Sequence, residues 1–145
     1  MLFRSVLLTA AILWLGLARF SIVFFSFRRV GQMATRPVKA VGRSKYNHSV
    51  TVKRIRWAIA AASRRVPWRT MCFEQGLAAH LMLRRRGLPS VLYYGVAPNE
   101  EKGLVAHVWV RVGLTDIVGC EIAAQFAVLA IFPQDIDDRA RAITS

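Results

Sequence analysis

The stretch that decides the fold is VPWRTMCFEQGLAAHLMLRRRG, residues 66–87. It predicts one helix, because Pro67 stops the helical pattern before it and Gly87 is a typical left-handed C-terminal stop. Thr70 is the expected N-cap, which places Cys72 in the first turn. A thiol at that position meets unpaired backbone N–H groups and the positive end of the helix dipole, and both favour the thiolate. The stretch therefore predicts a helix with a nucleophilic cysteine at its start.

The same helix is expected to be the central one of the fold. Gly76 and Ala79 fall on the stripe that begins at Cys72, and small side chains at helical spacing let another element approach closely. Residues 50–66 predict a preceding helix, since apolar residues recur there at three- and four-residue steps while Lys and Arg lie off that stripe.

After Gly87 the sequence pattern changes from helix to strand. Residues 90–97 and 104–112 are rich in β-branched and aromatic residues and are joined by a polar turn, and residues 115–120 predict a third strand. Helices followed by an antiparallel meander indicate an α+β fold. Residues 126–132 form a short apolar segment of no assigned type, and the polar tail after them is either a short helix or frayed.

Residues 1–30 are strongly apolar but are interrupted by Arg19. We favour a helix that packs on the domain or lies on a membrane surface, with Arg28 and Arg29 at the lipid headgroups. A single membrane span is the second interpretation, although a central arginine costs about 2.5 to 3.5 kcal/mol on insertion scales. A signal peptide is the third, and no small-residue cleavage site follows the apolar run. Residues 31–49 have loop composition and predict a linker.

Size and charge limit the organisation and the partners. The 145 residues suffice for one domain, predicted from residue 50 to 145, behind the helix and the linker. There are 21 Lys and Arg against 8 Asp and Glu, a net charge of +13, which attracts an anionic or acidic partner. The arginines are scattered and no nucleic-acid-binding motif occurs, so nucleic acid is not the expected partner.

The cysteines argue against a metal and for a reducing compartment. The chain has two, Cys72 and Cys120, without a CxxC pair or a Cys/His cluster of zinc-like spacing. Nothing resembles the dense disulfide pattern of small secreted domains. We expect no metal ion, no cofactor and a cytoplasmic location.

A histidine on the second predicted strand is the expected partner of Cys72. His107 lies within the strand 104–112, where it can pack against the start of the helix and act as base and then acid. His80 lies two turns further down the Cys72 helix, and His48 lies in the predicted linker. Position therefore favours His107.

A third group should orient the imidazole through its other nitrogen. A hairpin turn at residues 113–114 places His107 opposite Cys120, and a turn two residues longer places it opposite Ile122. Glu121 is adjacent to the partner of His107 in both cases. Asp116 then lies about four residues too far along the ladder. Glu121 is the preferred third residue and Asp116 the fallback.

Three segments together resemble a known family. They are residues 66–96, AHVWVRVG at 106–113 and VGCEIAAQFAVLAIFP at 118–133. Over about residues 50–133 the chain resembles the transglutaminase-like B2 proteins of lasso peptide biosynthesis. The resemblance implies a papain/transglutaminase-like fold and a cysteine peptidase that removes the leader from a ribosomally synthesised precursor through a thioester acyl-enzyme.

The resemblance also implies roles for individual residues. Cys72 would be the nucleophile and His107 the general base. Members of the family often carry an aspartate about twelve residues after the histidine, whereas position 119 is glycine in this chain. Glu121, two residues further on, is the substitute that the hairpin count also favours.

The expected partners follow from the same resemblance. They are the precursor peptide, a lasso cyclase and, because residues 1–49 are interpreted as a hydrophobic helix and a linker, a separate PqqD-like leader-recognition protein. A membrane surface is a further candidate partner of residues 1–30. Two alternatives stay open: another acyl transfer on the same fold, and a non-catalytic, basic, membrane-associated adaptor in which Cys72 and His107 are core residues.

Overall fold

The computed structural model describes residues 2–35, 48–69 and 71–133. The chain order is α1 Leu2–Phe24, α2 Phe27–Thr35, α3 His48–Ser63, α4 Cys72–Arg85, β1 Ser90–Asn99, β2 Gly103–Val112, β3 Thr115–Val118, a 3₁₀ helix Cys120–Gln125, and β4 Ala127–Phe132. The strands form one antiparallel sheet in the order β3-β2-β1-β4. Helices followed by a small antiparallel sheet confirm the predicted α+β class.

The helix α4 is central, as predicted from its small residues. Gly76 lies directly on the sheet, because a Cβ added there would be 2.5 Å from Val108 Cγ1 and 3.7 Å from Val110 Cγ2. On its other sides α4 contacts α1 and α3. The helix ends at Arg85 and is followed by Gly87 with φ +76°, the left-handed stop that the sequence predicts.

The helix α3 also follows its predicted stripe. It begins at His48, and the residues buried along it recur at three- and four-residue steps. They are Val52, Ile55, Ala58, Ile59, Ala61 and Ala62.

The hairpin of β2 and β3 turns where it was predicted to turn, but its register then shifts. Val112 pairs with Thr115 and Arg111 with Asp116, after which Val110 pairs with Val118. The predicted pairing of His107 with Cys120 is therefore wrong, and the third strand ends two residues before residue 120. The physical reason is a bulge at residue 117, whose isoleucine side chain is buried in the core.

The apolar segment near residue 130 forms a fourth strand that the sequence pattern left unassigned. β4 pairs antiparallel with β1 from Leu92↔Phe132 to Val96↔Ala127, with a register shift between Tyr94 and Gly95. Its burial does not alternate cleanly, which explains why the local pattern did not specify a strand.

The N-terminal helix packs on the domain core. Its residues Leu7, Ala11, Leu15 and Ala18 are buried in the same hydrophobic cluster as the side chains of α3 and α4. By length and composition alone, α1 is also apolar enough to cross a membrane or to act as a signal sequence.

Part of the predicted linker is helical. α2 continues to Thr35, because Val30 and Ala34, one helical turn apart, are both buried. At the other end of the predicted linker, α3 already starts at His48. Residues 36–47 and the tail 134–145 lie outside the described residues. The division into an N-terminal helix, a linker and a domain from residue 50 stays a prediction.

A buried histidine joins α2, α4 and β1. His80 Nε2 lies 2.9 Å from the Ala34 carbonyl oxygen, and Ser90 Oγ lies 2.9 Å from His80 Nδ1. A carbonyl only accepts, so Nε2 carries the hydrogen and Nδ1 accepts from the hydroxyl. Burial lowers the pKa of His80 from 6.5 to about 4, with Arg84 lowering it further and the Ala34 contact opposing the shift. His80 is a neutral structural residue, away from the thiol.

Candidate functional site

Cys72 is the first residue of α4, as the sequence predicts. Met71 is the N-cap, with φ −86° and ψ 159°, and its side chain makes no capping hydrogen bond. Thr70, the predicted N-cap, lies outside the described residues. The first N–H groups of any helix lack intrahelical acceptors, so they can hold negative charge beside the half-buried free thiol.

An ion pair joins the first turn of α4 to α1. Arg19 Nη1 lies 3.0 Å from Oε1 of Glu74, whose side chain is only 6% exposed. The same guanidinium lies over the Trp68 ring, 5.8 Å from its centroid. Glu74 Oε2 and Trp68 Nε1 are buried without a hydrogen-bond partner among the described residues. The sequence pattern places Arg19 only in the N-terminal helix, because no local pattern connects residues 55 positions apart.

His107 lies in β2 and is 8% exposed. Its Nε2 is 2.7 Å from the carbonyl oxygen of Gly119, and its ring contacts Trp109 and Phe126 at centroid distances of 6.1 and 5.0 Å. Because a carbonyl cannot donate, Nε2 must carry the hydrogen. In the neutral ring this leaves the lone pair on Nδ1, which is the protonation state that a general base requires.

Gly119 occupies the position where the resembled family often carries aspartate. Its φ is +71°, and a Cβ there would lie 2.5 Å from the Val108 carbonyl oxygen and 3.1 Å from His107 Nε2. Both the backbone angle and the space therefore require glycine. The hydrogen-bond acceptor for the imidazole is a backbone carbonyl at this position, an arrangement that motif matching alone did not reveal.

Neither of the two acidic residues proposed from the sequence is hydrogen-bonded to His107. Glu121 is exposed in the first turn of the 3₁₀ helix, two residues after Gly119, and makes no hydrogen bond to His107. Asp116 forms an exposed ion pair with Arg111 at 2.9 Å near the hairpin turn. Of the two, Glu121 is nearer in sequence to the carbonyl that holds the ring, and its catalytic role stays a prediction.

Cys120 is a half-buried thiol on the sheet side of the 3₁₀ helix. Its Sγ is 3.3 Å from the Val110 carbonyl oxygen, to which the thiol donates. Burial raises the pKa of Cys120, with Asp116 adding to the shift and Arg111 opposing it. A protonated thiol is a poor nucleophile, so Cys72 is the better candidate of the two cysteines.

The structure brings the two predicted catalytic elements together. One turn after Cys72, Gly76 contacts Val108, which is the neighbour of His107 in β2. Side chains alternate along a strand, so the His107 ring lies with Trp109 on the other face of β2. No hydrogen bond joins the thiol to the imidazole. The helix–strand contact is therefore established, whereas direct pairing of thiol and ring stays a prediction.

Within the described residues, no group of three or more His, Cys, Asp or Glu side chains is placed to hold a metal ion.

One comparison with known proteins identifies a family. Neither the curated proteins nor the solved structures contain a significant match. A family model described as "Transglutaminase-like superfamily" matches residues 14–130, a range that includes α4, β2 and the C-terminal part of α1. This match covers well over half of the chain, and the chain therefore belongs to the transglutaminase-like superfamily.

Proposed function

We propose that this protein is a cysteine peptidase that removes the leader from a ribosomally synthesised lasso peptide precursor. His107 takes the proton of the Cys72 thiol, and the thiolate attacks the carbonyl carbon at the leader–core junction. The C–N bond then breaks, the proton passes to the departing amine of the core, and the leader remains on sulfur as a thioester. Water hydrolyses this thioester and returns the thiol.

One observation carries the proposal. Cys72 begins a helix packed against the strand of His107, and Nε2 of that ring already donates to the Gly119 carbonyl, so that Nδ1 holds the lone pair. Because the ring lies on the other face of β2 from Val108, the proposed step requires the thiol, at the start of α4, to reach the ring past that strand. The superfamily, whose members are generally cysteine peptidases or acyltransferases, supports the same chemistry. The sequence resemblance to the B2 proteins supports the choice of peptide cleavage.

The remaining roles follow from what each group can offer. The first-turn N–H groups of α4 stabilise the oxyanion of the tetrahedral intermediate. The Gly119 carbonyl orients the imidazole. Glu121, exposed in the first turn of the 3₁₀ helix, is the proposed third catalytic residue.

The proposed partners are those of leader removal in the cytoplasm. The precursor peptide is the substrate, a separate PqqD-like protein recognises its leader, and a lasso cyclase uses the freed amine. The net charge of +13 suits an acidic leader or an acidic partner surface.

The test is incubation of the full chain with a candidate precursor and its recognition protein, read by mass. We expect separate leader and core masses from the wild type and from Cys120→Ala, and an intact precursor with Cys72→Ala or His107→Ala. Cleavage by either of the last two purified variants would refute the assignment. A product in which an added amine is joined to the acyl group would instead identify an acyltransferase.

A further inference from the structure

We propose that α1 lies in the surface of an anionic lipid bilayer, with one face inserted among the acyl chains and the other packed on the domain. The inserted face is an exposed stripe on α1. It consists of Leu2, Val6, Leu13, Leu17, Phe20 and Phe24, which are exposed by 44 to 85%. This inference goes beyond the proposed reaction and does not depend on it.

The stripe has the geometry of an interfacial helix. Its residues recur at three-, four- and seven-residue steps, so they share one side of α1, and none of them is charged. The buried residues Leu7, Ala11, Leu15 and Ala18 lie on another side. α1 thus carries apolar side chains on two of its sides, and only one of these sides is covered by the domain, which leaves an exposed apolar stripe that runs from Leu2 to Phe24.

Packing favours an orientation on the membrane over one across it. The covered side of α1 contributes to the domain core, and Arg19 pairs at 3.0 Å with the buried carboxylate of Glu74 on α4. A helix that left the domain to cross a bilayer would strip this carboxylate of its cation and expose the apolar faces of α3 and α4. Insertion of the free stripe alone preserves both contacts.

The positive charges near the stripe favour an anionic lipid surface as its binding partner. Arg4 lies near the start of α1, and Arg28 and Arg29 lie in the first turn of α2, four and five residues after the end of α1; all three are exposed. Cations at both ends of an apolar stripe suit the anionic headgroups that border the acyl region. A second copy of the chain would also bring a net charge of +13, and like charges oppose self-association through this face.

The experiment is flotation of the full chain with vesicles. One vesicle type is phosphatidylcholine alone and the other contains phosphatidylglycerol. We expect binding to the second type that weakens as salt is raised. The double variant Leu13→Gln, Leu17→Gln should lower the partition coefficient about tenfold or more, because two apolar side chains leave the acyl region. The matched control is Leu114→Gln, which changes a fully exposed leucine (relative exposure 103%) on the β2–β3 hairpin and should leave binding unchanged.

A second double variant tests the role of positive charge without changing the apolar stripe. Arg28→Gln, Arg29→Gln should weaken binding to phosphatidylglycerol vesicles and reduce its salt dependence, and circular dichroism should show unchanged folding. Failure of the wild type to float would overturn the proposal. So would resistance of the bound protein to alkaline carbonate extraction, which identifies a spanning helix. A dimer that the stripe variant converts to monomer would assign the face to a second copy and would also overturn it.

Discussion

Acidification should destabilise the protein through one buried histidine. His80 is fully buried, donates from Nε2 to the Ala34 carbonyl and accepts at Nδ1 from the Ser90 hydroxyl. A second proton on this ring would break the contact with the hydroxyl hydrogen and place a charge in the core beside Arg84. The folded protein therefore resists protonation that the unfolded chain accepts.

The magnitude follows from the two pKa values. The pKa of His80 is 6.5 in the unfolded chain and about 4 in the folded protein. Between these values the unfolded chain binds more protons, so the free energy of unfolding falls as the pH falls. Above pH 6.5, protonation of His80 hardly lowers the free energy of unfolding. The expected loss is about 2 kcal/mol between pH 7 and pH 5, and about 3 kcal/mol once the pH is below 4.

Denaturant unfolding at a series of pH values measures this effect. His80→Leu removes the titrating group, so it should be less stable at pH 7 and should lose the slope between pH 6.5 and 4. His48→Leu is the matched control, since it removes a histidine from the exposed first turn of α3 and should retain the slope. A wild-type slope that survives in His80→Leu would refute the reasoning.

Three further predictions concern the site and its support. Gly119→Ala should slow precursor cleavage about tenfold or more, because its Cβ would lie 2.5 Å from a carbonyl oxygen and displace the acceptor of the ring; an unchanged rate would dismiss the carbonyl as the orienting group. Glu121→Gln should slow cleavage about fivefold and Asp116→Asn hardly at all, as an exposed charge is worth about 1 kcal/mol; equal rates would exclude Glu121. Gly76→Ala should cost about 1 to 3 kcal/mol in thermal unfolding, whereas Gly16→Ala, with nothing within 4 Å, should stabilise slightly.

Local signals in the sequence were sufficient for much of the fold. The stripe of α3, the glycine stop after α4 and the β2–β3 turn each depend on neighbouring residues, and all three are in the structure. The placement of Cys72 at a helix start follows from the same kind of signal. These features are set by backbone preferences and by periodic burial, which a single sequence displays.

Contacts between distant residues explain what the sequence did not predict. The bulge at Ile117 and the strand β4 depend on pairing partners that the local pattern does not contain. The ion pair between Arg19 and Glu74 joins α1 and α4. These two helices meet only because both pack into the same core. The acceptor for His107 is a backbone carbonyl, which every residue carries, so residue type does not identify it.

The central claim is that Cys72 forms the acyl-enzyme, and the most direct measurement is the intact mass of acid-quenched protein during turnover of a precursor, followed by peptide mapping. The proposed reaction predicts a transient adduct equal to the leader mass less one water, located on Cys72 and absent from Cys72→Ser. It also predicts that Cys120→Ala forms the same transient adduct. Leader removal by Cys72→Ala, or an adduct that maps to Cys120, would contradict it.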